Sequence, residues 1–318
     1  MKFPVFRFFP SLGCNRWWLV GFAAWCAWGP LDSNSRVWAN KNNDALHAKA
    51  AALDKQFTTE SKALASWCEQ QGLKEEAKQT LDWVRTRDPY LIYSPKLPRE
   101  MRPMDLPAGA SAEATKWSEQ WQGLREQHAE RLYDLAREAI RARQAGPAYE
   151  WVLETARQNP DHEPARRALG YQKFQDHWRT PYEVGQIRRG RVWLDGGGWV
   201  PKIHVARYES GKRLYQRKWI SVESEAEQRH AKMDPWTIET EHYEVRTTHS
   251  LAEGVRLGER LEEQQRIWRH VFVPYHTSPN NFSGLFEGRG AGKPFRHKVI
   301  YYRTREEYIK GLKDYGGS

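Results

Sequence analysis

Between Arg188 and Trp219 nine basic side chains alternate with five aromatic ones, and this is the stretch best placed for chemistry. Arg188, Arg189, Arg191, Lys202, Arg207, Lys212, Arg213, Arg217 and Lys218 are interleaved with Trp193, Trp199, Tyr208, Tyr215 and Trp219. Cations of this kind neutralise phosphates or uronates, while aromatic faces stack on sugars or bases. The spacing points to a binding surface for an anionic polymer, with Arg188, Arg189, Arg191, Trp193, Trp199, Lys202, Arg207 and Tyr215 as its contact set. The alternative is a small β-module whose aromatics form its own core and whose charges are solvated.

Other chemistry is weakly signalled. His162 and His177 stand among the acids Asp161, Glu163 and Asp176, but their spacing matches no dense zinc pattern. Asp161 and Glu163 also stand where negative charge favours a helix N-terminus, and His177 beside Trp178 reads as a core-edge residue. Gly288–Lys293 (GRGAGK) is glycine-rich, yet a phosphate loop would need Gly at 287 and Ser or Thr at 294, where Glu287 and Pro294 stand. No G-x-S-x-G elbow presents a nucleophile. Neither a nucleotide nor a specific nucleic acid is an expected partner, and no catalytic residue is assigned.

The elements around these residues read as α+β. Asp44 to Asp88 is helical, broken at Gly72, and returns as an αα-hairpin within 40–93. Four prolines make 94–111 a semi-rigid linker. A helical block, 112–180, carries Trp117, Trp121, Leu132 and Leu135, turns at Gly146-Pro147, and returns through Tyr149–Arg157. The two blocks share the order helix, tight turn, helix, proline, which fits degenerate tetratricopeptide-type repeats, although two pairs are fewer than the about three such arrays need. In the basic module, 181–235, Arg191–Leu194, the turn Asp195–Gly198 and Trp199–Pro201 spell a hairpin.

The last segment, 236–318, alternates strand and helix. Glu241–Thr248 places Tyr243, Val245 and Thr247 on one side at the period of a strand. Ser250 and Glu253 open a helix as a capping box, with Leu257, Leu261, Trp268 and Phe272 as its apolar stripe. Lys298–Arg303 is a second strand, and Thr304 and Glu307 cap a final helix through Tyr308, Ile309 and Leu312. Two strands make a poor sheet alone, so the expectation is an incomplete strand-helix-strand-helix unit, the opening of a larger domain.

The runs TEHYEVRTTHSLAEGVRLGERLEEQQRIWRHVF and KVIYYRTREEYIKGL resemble the start of the peptidase-MA-like domain of unknown function, which occurs in exported bacterial proteins behind tetratricopeptide-like helices. The resemblance covers about the last quarter of the chain. It implies a gluzincin-type zinc site on a later helix bearing H-E-x-x-H. Here the His-Glu pair is His162-Glu163, and Arg166 stands four residues after His162. No zinc ligand is carried over, so zinc is implied only for a longer form. The expectation is a chain that binds or scaffolds, with protein or anionic cell-wall polymer as partner.

Composition sets the compartment. The 318 residues carry 50 Lys and Arg against 40 Asp and Glu, a formal +10 that favours anionic partners. Residues 1–39 have the layout of an export signal. Lys2, Arg7 and Arg16 precede an uncharged run, Trp17–Trp28, and Val37-Trp38-Ala39 offers a cleavage site. An uncleaved N-terminal anchor is the alternative, and it is the only membrane contact expected. Cys14 and Cys26 lie in that segment, which leaves Cys68 as a lone thiol fit for a small core position.

Overall fold

The computed structural model describes residues 33–84, 94–98, 109–276 and 296–316. Most of the expected export segment, positions 1–32, lies outside the described residues, as do linker positions 99–108 and the Gly288–Lys293 loop. Residues Asn42–Ser318 form one compact unit. Among the described residues no helix is long and apolar enough to cross a membrane. The architecture is α+β: packed N-terminal helices, small antiparallel hairpins, and a mixed three-stranded sheet.

Helix α1 (Ser33–Gln70) ends where Gly72 takes φ +80°, a conformation that costs glycine little. The N–H of Leu73 returns to Cys68 O (2.8 Å) and that of Gly72 to Glu69 O (3.1 Å), a Schellman stop. Helix α2 (Lys74–Trp83) then returns. Ser111 caps α3 (Ala112–Arg141) by accepting from the N–H of Ala114. The expected turn at Gly146-Pro147 lies three residues earlier, where Arg143 takes φ 60° and α4 (Ala145–Gln158) begins. Pro147 is tolerated inside the first turn of α4, because N–H groups there have no intrahelical partner to lose. A short α5 (Glu163–Ala168) follows.

Two apolar clusters hold these helices. Leu46 and Ala50 of α1 meet Leu132, Leu135 and Ala139 of α3 and Trp151, Val152 and Ala156 of α4. Further along α1, Phe57, Leu64 and Cys68 meet Ala77 of α2 and Trp117 and Trp121 of α3, so α1 and α3 run antiparallel. Cys68 is fully buried, as its setting in the sequence led one to expect.

The expected hairpin is the middle one of three. Strands β1 (Gln172–Phe174) and β2 (His177–Arg179) lead to α6 (Pro181–Arg188). Strands β3 (Arg191–Leu194) and β4 (Gly198–Pro201) lead through a 3-10 turn to α7 (Val205–Glu209). Strands β5 (Lys212–Tyr215) and β6 (Lys218–Ser221) lead to α8 (Val222–Lys232). The units share one layout, with the middle turn one residue longer than the other two. Gly170, Gly190 and Gly211, at φ 86°, 71° and 76°, precede each hairpin. Trp178, Trp199 and Trp219 occupy the same ladder position, opposite Lys173, Trp193 and Leu214. The helix of each unit receives the next tryptophan: Tyr182 meets Trp199 at 6.1 Å, Tyr208 meets Trp219 at 6.2 Å, and His230 meets Trp236 at 5.6 Å. Trp236 opens the next element, so the third unit hands over to the C-terminal sheet.

That sheet has three strands where two were expected. Strand β7 (Trp236–Glu239) pairs antiparallel with β8 (Tyr243–Thr247), and β9 (His297–Tyr301) pairs with β8 in parallel. Between β8 and β9 runs α9 (Leu251–His276), and α10 (Arg305–Gly316) follows β9. Tyr243, Val245 and Thr247 are buried, as their alternation required. The helical stripe divides: Leu257 and Leu261 pack on the sheet core, but Trp268 and Phe272 stand 46% and 40% exposed, their rings 5.2 Å apart. A Cβ at Gly254 would lie 2.4 Å from Ile238 Cδ1, so the helix approaches the sheet along Gly254 and Gly258. Toward its C-terminal end α9 leaves the sheet, and Val273 enters the scaffold core beside α4.

Candidate functional site

The three hairpin-helix units carry 13 Lys or Arg against 7 Asp or Glu between positions 171 and 232, so most of the chain's formal +10 resides there. Arg188, Arg189, Lys202 and Arg207 are exposed, and so are Lys212, Arg217 and Lys218. Arg191 is half-buried and donates to Gln186 Oε1 at 3.3 Å.

The aromatic members of the expected contact set serve the fold. Trp193 packs on the cluster of Trp236, Ile238 and Val255, and its indole N–H donates to Glu259 Oε1 at 3.2 Å. Trp199 stands edge-on between Trp193 (5.6 Å) and Tyr182. Tyr215 is buried beneath Arg229, whose guanidinium carbon lies 4.8 Å from the ring centre, and Lys232 at 5.6 Å. Two cations of the contact set stand over rings outside it, Arg207 4.6 Å over Trp219 and Arg188 5.6 Å over Phe174, so even exposed cations are partly steered by rings. The arrangement offers charge on the outside and rings within.

The sequence missed the node that ties this module to the sheet. Glu225 of α8, 4% exposed, accepts from Arg229 Nε at 2.9 Å and from the indole N–H of Trp236 at 3.1 Å. Its signal was present, since Glu225 and Arg229 are four apart on one helix.

The two histidines weighed as metal ligands have structural roles. His162 caps α5, its Nδ1 accepting from the N–H of Ala165 at 3.1 Å, and its Nε2 lies 3.4 Å from Glu130. His177 closes the first hairpin turn, Nδ1 to Gln175 O at 2.7 Å. Asp161, directly before His162, accepts from the Trp178 indole at 2.7 Å. Among the described residues no three His, Cys, Asp or Glu side chains group as metal ligands. Comparison with protein-family models, with curated proteins and with solved structures finds no match to this chain.

Proposed function

We propose that this chain is an exported binding protein, a helical-hairpin scaffold whose three-unit basic module takes an anionic cell-wall polymer. What carries the reading is the run of exposed cations, Arg188, Arg189, Lys202, Arg207, Lys212, Arg217 and Lys218, on a module whose rings are already occupied by packing. Recognition is then ionic, with stacking on Trp193 or Tyr215 playing little part. Neutralising a polyanion releases its counterions, so affinity falls steeply with salt. The test is retention of residues 40–318 on purified wall polymer across a salt series. Arg188→Ala, Arg189→Ala and Lys202→Ala combined are expected to weaken retention and flatten its salt dependence. Retention unchanged by these substitutions at every salt concentration removes the reading.

A second reading rests on the order β8–α9–β9–α10, which supports the likeness of 236–318 to the start of a peptidase-MA-like domain. Under it, a longer form of the protein holds zinc and cleaves peptides. Zinc content and peptide cleavage, measured on the full-length natural protein, separate it from a purely binding role.

A further inference from the structure

Where the β7–β8 turn meets α9, one carboxylate and one imidazole gather the polar contacts. Glu262 accepts from the backbone N–H of His242 (2.6 Å), from the Thr240 hydroxyl (2.6 Å) and at Oε2 from His242 Nδ1 (2.7 Å). On the far side of the ring, Arg269 Nη2 lies 3.2 Å from Nε2. A guanidinium has donors and no acceptor. Nε2 therefore accepts, the ring proton sits on Nδ1, and the imidazole held this way is neutral. Burial by itself raises the Glu262 carboxyl, but the hydrogen bonds from His242 and Thr240 bring it below the usual range.

The neighbours come from several elements. Glu241 in the turn is held above its ordinary value, chiefly by burial, and feels both Glu262 and Glu183 of α6. Arg266 and Arg269 come from α9, and His297 of β9 lies 5.6 Å from the Tyr243 ring. Beyond Arg269 stands Tyr149 of α4, its phenol pushed up to about 12 by burial.

We infer that His242, Glu262 and Arg269 form an acid-operated latch between the β7–β8 turn and α9. A second proton, taken from solvent at Nε2, removes the acceptor that Arg269 holds and sets two cations face to face. Glu262 keeps the charged ring, and Arg269 withdraws. The withdrawn arrangement binds the proton more tightly than the closed one, so by linkage falling pH populates it. The side chain most responsive to mild acid is histidine, whose charge ordinarily changes between about pH 5 and 8. The position matters mechanically. Arg269 precedes His270, whose ring is 5.6 Å from Tyr149, and Val273 is buried in the scaffold core, so the latch sits where α9 passes from one body of packing to the other. This reading is independent of polymer binding.

Nitrogen NMR on the full chain tests it. At pH 8 the His242 ring is expected as the Nδ1–H tautomer with Arg269 guanidinium signals protected. At pH 5.5 those signals are lost, and amide exchange over 262–273, corrected for intrinsic rate, accelerates on the order of tenfold. Arg269→Gln supplies the control, because an amide donates to the neutral ring or, flipped, accepts from the charged one. That variant is expected to show no pH step over 262–273, and His242→Gln, which cannot titrate, none either. An Nε2–H tautomer at pH 8, or an equal step in wild type and Arg269→Gln, overturns the latch.

Discussion

The indole N–H of Trp117 donates to Thr80 Oγ1 at 2.9 Å, and the two residues are 1% and 0% exposed. The Thr80 hydroxyl in turn donates to Glu76 O at 2.8 Å, so each buried polar atom is satisfied and α2 is tied to α3. Thr80→Val keeps the volume but strands the indole donor. A buried donor left unpaired costs about 1–3 kcal/mol. Urea denaturation is expected to show that loss for Thr80→Val and a smaller one for Thr80→Ser, which keeps the hydroxyl. Equal loss in both variants assigns the effect to packing instead.

Glu225 holds the joint between the third hairpin unit and the sheet. Replacing it by Ala leaves Arg229 Nε and the Trp236 indole without their shared acceptor. Breaking a buried ion pair from one side costs about 3–5 kcal/mol, and Arg229 retains Asp234 at 3.0 Å, so the lower end applies. Glu225→Gln still accepts and is expected to lose less. Stability curves followed by tryptophan emission should rank wild type, Gln and Ala in that order. A Gln variant as unstable as Ala points to charge rather than the hydrogen bonds.

Some of this was legible and some was not, for local reasons. Ser250 and Thr304 announced the starts of α9 and α10, and their hydroxyls accept from the N–H groups of Glu253 and Glu307, both at 3.2 Å. Gly72 announced the end of α1. Two of the three hairpins were invisible because their turns, Gln175-Asp176 and Gln216-Arg217, put residues other than Gly or Asn at positive φ. The middle turn, with Gly196 and Gly198, was readable. The α9 stripe misled because apolar spacing cannot tell where along its length a helix leaves its sheet: Leu257 and Leu261 lie over the sheet core, whereas Trp268 and Phe272 lie on the stretch that runs on to the scaffold. In the basic module seven of the nine cations are exposed and Arg191 and Arg213 are half-buried, whereas Trp193 and Tyr215 belong to packing that only the tertiary partners Val255 and Arg229 reveal.

Cys68 makes stability fall in alkali. Burial first, then the charge of Glu76, pushes its thiol up to about 11. An unfolded chain ionises its thiol near pH 8.5. Stability from the protonated thiol is therefore whole below that value and is lost as pH climbs toward 11, by at most about 1.4 kcal/mol per pH unit. Comparing wild type with Cys68→Ala isolates this contribution. The stability advantage of wild type is expected to shrink between pH 8 and 10.5, and parallel curves would show that the thiol titrates alike in both states.

Glycine does opposite work on two helices. A Cβ at Gly254 would meet Ile238 Cδ1 at 2.4 Å and Thr247 Cγ2 at 2.8 Å, both on side chains that are almost fully buried. Neither has space to retreat, so Gly254→Ala must lift α9 off the sheet, at the about 1–3 kcal/mol typical of overpacking. At Gly258 the nearest atom, Thr240 Cγ2, is 3.0 Å away, and a smaller loss is expected. On α3, by contrast, a Cβ at Gly123 would have nothing within 4 Å. There the alanine removes backbone freedom from the unfolded chain without a clash, and Gly123→Ala should gain about 0.5–1 kcal/mol. Thermal denaturation of the three single variants gives the order directly: Gly123→Ala above wild type, Gly258→Ala below it, Gly254→Ala lowest. A Gly254→Ala protein as stable as wild type would mean that α9 does not approach the sheet through this residue.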